Sequence, residues 1–126
     1  MPFICPECAQ RTLAITEALE LPPDSRSDEI TLQAVSCSAC GFAGLAVYEE
    51  SRRGSFDTES VDHRGYRVSR ADLHVILRAV RRCPRPSDPR CGCAAHRELG
   101  RTSASGRWDG LRDVELKESF PMVLWR

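Results

Sequence analysis

Two stretches, Cys5-Pro6-Glu7-Cys8 and Cys37-Ser38-Ala39-Cys40-Gly41, each hold a pair of cysteines separated by two residues. Such a pair turns the chain back and presents both sulfurs from one side, so two pairs together can surround a Zn²⁺ ion tetrahedrally. The 28 residues between the pairs fit a β-hairpin over residues 12–36. We therefore expect a first zinc site, with a rubredoxin-like iron site or two unrelated cysteine pairs as the alternatives. Its ligands would be Cys5, Cys8, Cys37 and Cys40.

These paired CxxC motifs resemble those of the zinc-ribbon group over residues 3–50. The resemblance implies a short antiparallel sheet with the cysteine pairs at its end, and the same four cysteines as ligands. It implies no single activity, because zinc ribbons occur in transcription and translation factors, in nucleases and as structural inserts of enzymes.

The three remaining cysteines lie close together in the order Cys83-x7-Cys91-x-Cys93-x2-His96. Three thiolates and one imidazole can close a structural zinc site, and this second site would use the rest of the seven cysteines. Free thiols beside a surface histidine are the alternative. We expect two zinc ions per chain, held by structural sites in a reducing compartment.

One amphipathic helix is predicted at about 70–82. Ser69 is a good N-cap with Asp72 three residues later, and the apolar residues that follow recur at helical spacing. Pro84 ends the pattern. The fold class expected for the whole is a small α+β zinc-bound domain, with this helix, the ribbon sheet, a Cys3His loop and C-terminal strands.

Strands are expected at 11–21, 30–35 and 42–49, a polar loop at 51–64 and one helical turn at 94–99. Two closing strands are expected at 114–117 and 120–125. A chain of 126 residues suits one domain. We divide it into a zinc ribbon at 1–50 and a second part at 51–126 that packs with the ribbon as one unit.

Charge is segregated along a chain whose formal net charge is zero. Residues 1–63 hold eleven acidic residues and four arginines, whereas residues 64–107 hold eleven arginines and three acidic residues. This basic segment suits phosphates of nucleic acid, with Tyr66 and Trp108 available for stacking on bases, or an acidic protein partner. Alternatively, its arginines pair with the acidic half. The candidate binding residues are Arg78, Arg81, Arg82, Arg85 and Arg90.

An enzyme is the alternative to a binding module. Asp62-His63, ahead of a helix that carries His74, resembles the metal-binding part of HNH nucleases. The chain contains no Asn, however, and its CxxC pairs precede the Asp-His instead of bracketing the helix. A zinc-binding interaction module is therefore the function that we expect, and no catalytic residue is assigned.

A third interpretation is a small structural subunit of a larger complex. The apolar segment Phe120–Trp125 would either complete the core or present an edge strand to a partner. The start of the sequence lacks the basic and apolar regions of an export signal, and no apolar run is long enough to span a bilayer. We expect a cytoplasmic protein that does not bind membranes.

Overall fold

The structure, a computed structural model, describes residues 2–52 and 60–124. Within these ranges, five strands form one antiparallel sheet in chain order, and two helices lie between the fourth strand and the fifth. The elements are β1 Leu13–Leu21, β2 Glu29–Cys37, β3 Ala43–Ser51, β4 Ser60–Tyr66, α1 Arg70–Arg82, α2 Ala94–Leu99 and β5 Ser119–Pro121. The coarse prediction of a small α+β fold is confirmed.

The sheet has an apolar core on each face. On β3, Leu45 and Val47 belong to the core under the two helices, whereas Ala46, between them, belongs to a second core. Since successive side chains of a strand point to opposite faces, one strand serves both cores. The second core includes Cys5 and Cys37, so it lies beside the first predicted metal site.

A β-bulge in β1 moves the side chains that follow it to the opposite face of the sheet. The pairing with β2 is regular from Leu13 to Ile15 and again from Glu17 onward, with a register shift between them. One extra residue in a strand reverses which face every later side chain occupies. Leu13 therefore lies in the second core, while Leu19 lies in the helix-covered core.

Helix α1 has the predicted bounds, and the capping residue is the predicted one. The Ser69 hydroxyl accepts a hydrogen bond from the Asp72 N–H at 3.1 Å. Leu73, Ile76 and Val80 are buried against the sheet, while the outer face is exposed. The helix ends at Arg82, and Cys83 is its C-cap. The helical turn predicted at 94–99 is confirmed as α2.

The polar loop predicted for 51–64 is wrong over its last part. Residues 60–64 belong to β4, which pairs with β3 along its whole length, and residues 53–59 lie outside the described part. Asp62, His63 and Arg64 break the apolar alternation that identifies a strand in sequence. A neighbouring strand supplies the backbone hydrogen bonds that this segment needs whatever its side chains are.

The C-terminal prediction is corrected at two points. Residues 114–117 form no strand, because the Val114 N–H closes a turn onto Leu111 and the Lys117 N–H bonds to the Arg67 carbonyl beyond the end of β4. The last strand covers Ser119–Pro121 instead of 120–125, of which residue 125 is not described. Phe120 and Met122 are buried in the second core.

The predicted boundary near residue 50 lies close to the end of β3, which pairs with β4 from the second part of the chain. The division of the chain into two domains stays a prediction. Within the described ranges, neither helix is long and apolar enough to cross a membrane.

Gly65 on β4 allows Phe120 to reach the second core. A Cβ atom at position 65 would overlap the Phe120 ring, which packs edge-on against Phe42 at 5.7 Å between centroids. Because overpacking of a core costs about 1–3 kcal/mol, we expect Gly65→Ala to lower the free energy of unfolding by that amount. Urea denaturation of the metal-loaded protein measures it.

Gly92→Ala is the matched control for this variant, because a Cβ at position 92 meets no atom within 4 Å. It should unfold at the urea concentration of the wild type. Equal midpoints for the two variants would show that the sheet accommodates a side chain at position 65.

Candidate metal centres

The first centre lies where the N-terminal segment meets the turn between β2 and β3. Cys5 and Cys8 flank a turn that precedes β1, Cys37 is the last residue of β2, and Cys40 lies in the following turn. The Phe3 and Leu13 backbones are joined by hydrogen bonds in both directions, which places the first cysteine pair against the end of the hairpin. The sheet thus brings together residues more than thirty positions apart.

The sulfur atoms of this centre have the spacing of a metal site. Sγ of Cys5 lies 3.7 Å from Sγ of Cys40, and Sγ of Cys8 lies 3.7 Å from Sγ of Cys37. All four lie within 4.8 Å of one another. Sulfurs bound tetrahedrally at 2.3 Å from one ion are about 3.8 Å apart, whereas a disulfide joins them at about 2.05 Å. The four cysteines could hold a metal ion, and two unrelated pairs are excluded.

Hydrogen bonds at Cys37 favour the thiolate form that binds metal. The Thr12 hydroxyl lies 3.0 Å from its Sγ, and the N–H groups of Ala39 and Cys40 each donate to it at 3.4 Å. The hydrogen bond from Thr12, supported by these two N–H groups, lowers the pKa of Cys37 to about 6 even though burial raises it.

The neighbouring thiol, Cys40, would be favoured as a thiolate ligand by a bound cation. Although the Phe42 N–H lowers it, burial and the other three thiols raise the pKa of Cys40 to about 12. Four clustered sulfurs cannot all ionise beside one another without a compensating charge. A divalent cation supplies that charge and holds every ligand as a thiolate.

The second centre joins the two helices. Cys83 is the C-cap of α1, Cys93 is the N-cap of α2, and His96 lies in the first turn of α2. Nδ1 of His96 is 3.3 Å from Sγ of both Cys83 and Cys93, and Sγ of Cys91 is 3.8 Å from that of Cys83. The four ligand atoms lie within 4.8 Å of one another, so this set could also hold a metal ion.

His96 is oriented by the edge strand of the sheet. Its Nε2 lies 2.9 Å from the Glu20 carbonyl oxygen, and since a carbonyl only accepts, Nε2 donates this hydrogen bond, which leaves Nδ1, on the side of the sulfurs, as the atom that could bind a metal. A metal-binding histidine commonly donates its second N–H in this way. The Glu20 N–H donates to the Pro86 carbonyl at 2.8 Å, so the same residue also holds the loop between the helices.

At the second centre, as at the first, the pKa of one thiol is raised and that of another is lowered. Burial raises the pKa of Cys83 to about 11, with the neighbouring thiols adding to the effect. Burial also raises the pKa of Cys93, but hydrogen bonds from the backbone N–H and the ring of His96 outweigh it and lower the pKa to about 6. One thiolate is thus favoured by the protein itself, and a cation would favour the others.

The contact between His96 and Glu20 has no signal in the sequence, because it joins residues 76 positions apart.

The residues of the nuclease alternative are not brought together. His63 lies in β4 on the sheet face opposite α1, 2.6 Å from the Gln33 amide oxygen, whereas His74 is exposed on α1. Within the described ranges, the two cysteine sites are the groups of three or more His, Cys, Asp or Glu ligands that could hold a metal. Asp62, His63 and His74 form no such group.

The predicted basic residues divide into two kinds. Arg81 forms an ion pair with Glu17 of β1, with Nε 2.6 Å from the carboxylate oxygen. The other four are exposed and make no ion pair with any residue in 2–52 or 60–124. They are Arg78, Arg82, Arg85 and Arg90.

Tyr66 and Trp108 are half-buried and pack against the helix-covered core. The indole N–H of Trp108 donates to the Leu99 carbonyl at 2.7 Å, and its backbone N–H donates to the buried carboxylate of Asp24 at 2.6 Å. Their rings therefore contribute to the core and are only partly exposed.

Comparison of the chain with protein-family models, with curated proteins and with solved structures finds no match. The two candidate metal centres define the class of protein: a small α+β protein with two cysteine-rich sites that could each hold a metal ion.

Proposed function

We propose that this protein is a two-zinc module that binds nucleic acid through the exposed arginines of α1 and of the loop after it. Zn²⁺ prefers tetrahedral sets of Cys and His ligands, which both centres offer. Cys5, Cys8, Cys37 and Cys40 would hold one ion, and Cys83, Cys91, Cys93 and His96 the other. Four protein ligands leave no open position for substrate, so both ions would be structural.

One observation carries the proposed ligand. The arginines Arg78, Arg82, Arg85 and Arg90 are exposed and make no ion pair within the described residues, although the chain holds as many acidic as basic residues. The sequence left open that these arginines pair with acidic residues of the same chain. Of the five predicted arginines, only Arg81 does so within the described residues. Guanidinium groups that face solvent are suited to phosphate oxygens, with which they form paired, charge-assisted hydrogen bonds.

The test removes two of these charges without altering the helix. We expect Arg78→Gln/Arg82→Gln to weaken binding to a fluorescent mixed-sequence nucleic acid by about tenfold or more in anisotropy titrations. The log–log salt slope should become shallower by about 1.4–1.8, corresponding to two lost phosphate contacts. Glutamine keeps most of the side-chain length and a high helix propensity, so circular dichroism should be unchanged.

Arg11→Gln/Arg26→Gln is the matched control, since it removes the same charge from exposed positions outside α1 that make no ion pair within the described residues. It should bind as the wild type does. If the wild type binds no nucleic acid at low salt, the proposed ligand is wrong, and an acidic protein becomes the partner to seek.

A further inference from the structure

Helix α1 presents a convex basic ridge. Arg70, His74, Arg78 and Arg82 follow one another at intervals of four residues and are all exposed. Val75, beside them, is 64% exposed. With a rise of 1.5 Å per residue, the ridge extends about 18 Å from Arg70 to Arg82. Its opposite side is buried on the sheet, so the ridge is a surface that can enter a groove of another molecule.

A cationic cavity lies at the first turn of the ridge. It measures about 400 Å³ and is lined by Arg67, Arg70 and Lys117, together with Phe42 of the β2–β3 turn. Arg67 is paired with Glu7 at 2.7 Å and with Glu118 at 3.5 Å. Arg70 and Lys117 make no ion pair within residues 2–52 and 60–124. Two cations are therefore free to bind an anion at this end.

The last turn has its own cations. Arg82 is exposed there, and Arg85 follows three residues later in the loop that the second metal centre holds. Asp72 is the one acidic residue of α1, and it lies in the first turn beside the N-cap. The ridge thus carries free positive charge at both of its ends, about 18 Å apart.

Helix α1 itself carries no stacking surface for unpaired bases, and the Phe42 ring in the cavity already lies against the Arg67 guanidinium, 5.2 Å from its centroid, and edge-on against Phe120. Proteins that bind single strands combine a basic groove with aromatic side chains. Helix α1 contains no aromatic residue apart from the imidazole of His74, and Tyr66 and Trp108 are packed against the core. The major groove of B-form DNA is about 12 Å wide and admits an α-helix, whereas that of A-form RNA is deep and too narrow for side chains to read.

We infer that α1 lies in the major groove of double-stranded DNA, with Arg70 and Lys117 on the phosphates of one strand and Arg82 and Arg85 on those of the other. This inference rests on the proposed function and adds the kind of nucleic acid and the way it is bound. The phosphate contacts position the helix without reading sequence. Helix α1 contains no Asn or Gln, the residues that read adenine through paired hydrogen bonds.

The test compares three probes and two variants, with anisotropy as the readout. The probes are a 20-base-pair DNA duplex, a single strand of the same length and a 20-base-pair RNA duplex. The wild type should bind the DNA duplex at least about tenfold more tightly than either other probe. Arg70→Gln/Lys117→Gln should weaken duplex binding by about tenfold and make the salt slope shallower by about 1.8.

The control is again Arg11→Gln/Arg26→Gln, which should match the wild type. If the wild type prefers single-stranded DNA or duplex RNA, or if Arg70→Gln/Lys117→Gln binds duplex DNA as tightly as the control, the inference is overturned while the proposed function stands. If none of the three probes binds the wild type, both are overturned.

Discussion

Replacement of Cys37 by serine should remove one zinc ion and unfold most of the sheet. Cys37 is 4% exposed, it is the end of β2, and it lies in the second core together with Cys5. The apparent free energy of zinc binding at structural sites is about 10–16 kcal/mol in small peptides, whereas a whole domain is stable by about 5–15 kcal/mol. The free energy lost with the first centre is therefore larger than the remaining contacts can compensate.

The measurements are zinc per chain by elemental analysis and secondary structure by circular dichroism. We expect two zinc ions in the wild type, with Cys37→Ser insoluble or broadly unfolded. Ser38→Ala, at the exposed neighbouring position, should keep both ions. A red, iron-containing wild type would contradict the zinc assignment, and a Cys37→Ser protein that unfolds as cooperatively as the wild type would contradict the structural role.

A milder variant tests the same centre if Cys37→Ser fails to fold. Thr12→Val removes the hydroxyl that lies 3.0 Å from Sγ of Cys37 but keeps all four ligands. Loss of such a supporting hydrogen bond commonly weakens metal affinity by about 10–100-fold. We expect that loss in competition with a zinc chelator, while the zinc-saturated variant keeps the wild-type circular dichroism.

Replacement of Cys93 by serine should have a large but local effect. Sγ of Cys93 is both a candidate ligand and the N-cap acceptor for the His96 N–H at 3.4 Å. Serine is a strong N-cap, so Cys93→Ser removes the ligand and preserves the cap of α2. The protein should stay soluble, keep one zinc ion, and become sensitive to trypsin within residues 84–107.

The effect is local because the second centre holds a loop and the first centre holds the sheet. The link from His96 to Glu20 and from Glu20 to Pro86 attaches this loop to the edge of β1, but the strands pair with one another without it. Cleavage after Arg90, Arg97 or Arg101 would show the opening, and mass spectrometry locates it. Ser87→Ala, exposed in the same loop, is the control. Loss of both zinc ions from Cys93→Ser would show that the two centres form one cooperative unit.

Features set by neighbours in sequence could be predicted. The bounds of α1 follow from Ser69, the apolar period and Pro84, and the structure has the same bounds. Both candidate ligand sets are indicated by cysteine spacing, because short segments between cysteines can bring their sulfurs close together. The excess of arginine in 64–107 is likewise a property of the sequence.

Features set by distant residues required the tertiary structure. Strand β4 is stabilised by its pairing with β3. Its polar residues Asp62, His63 and Arg64 lack the apolar alternation by which a strand is predicted from sequence. The bulge after Ile15 places Leu13 and Leu19 in different cores, although their spacing in sequence puts them on one face. Both depend on hydrogen bonds to a neighbouring strand, which no local pattern records.

The sequence by itself indicated the candidate metal ligands, the capped helix and the segregation of charge, since cysteine pairs, capping residues and an excess of arginine are patterns of residue type along the chain. Only the tertiary structure decided which charges are free and what orients the ligands. Arg81 is neutralised by Glu17, while Arg78 and Arg82 are not paired within the described residues. His96 is aligned by the carbonyl of Glu20. These pairings join β1 to segments more than sixty residues away, and it is the packing of the helices and their loop against the sheet that brings them within reach.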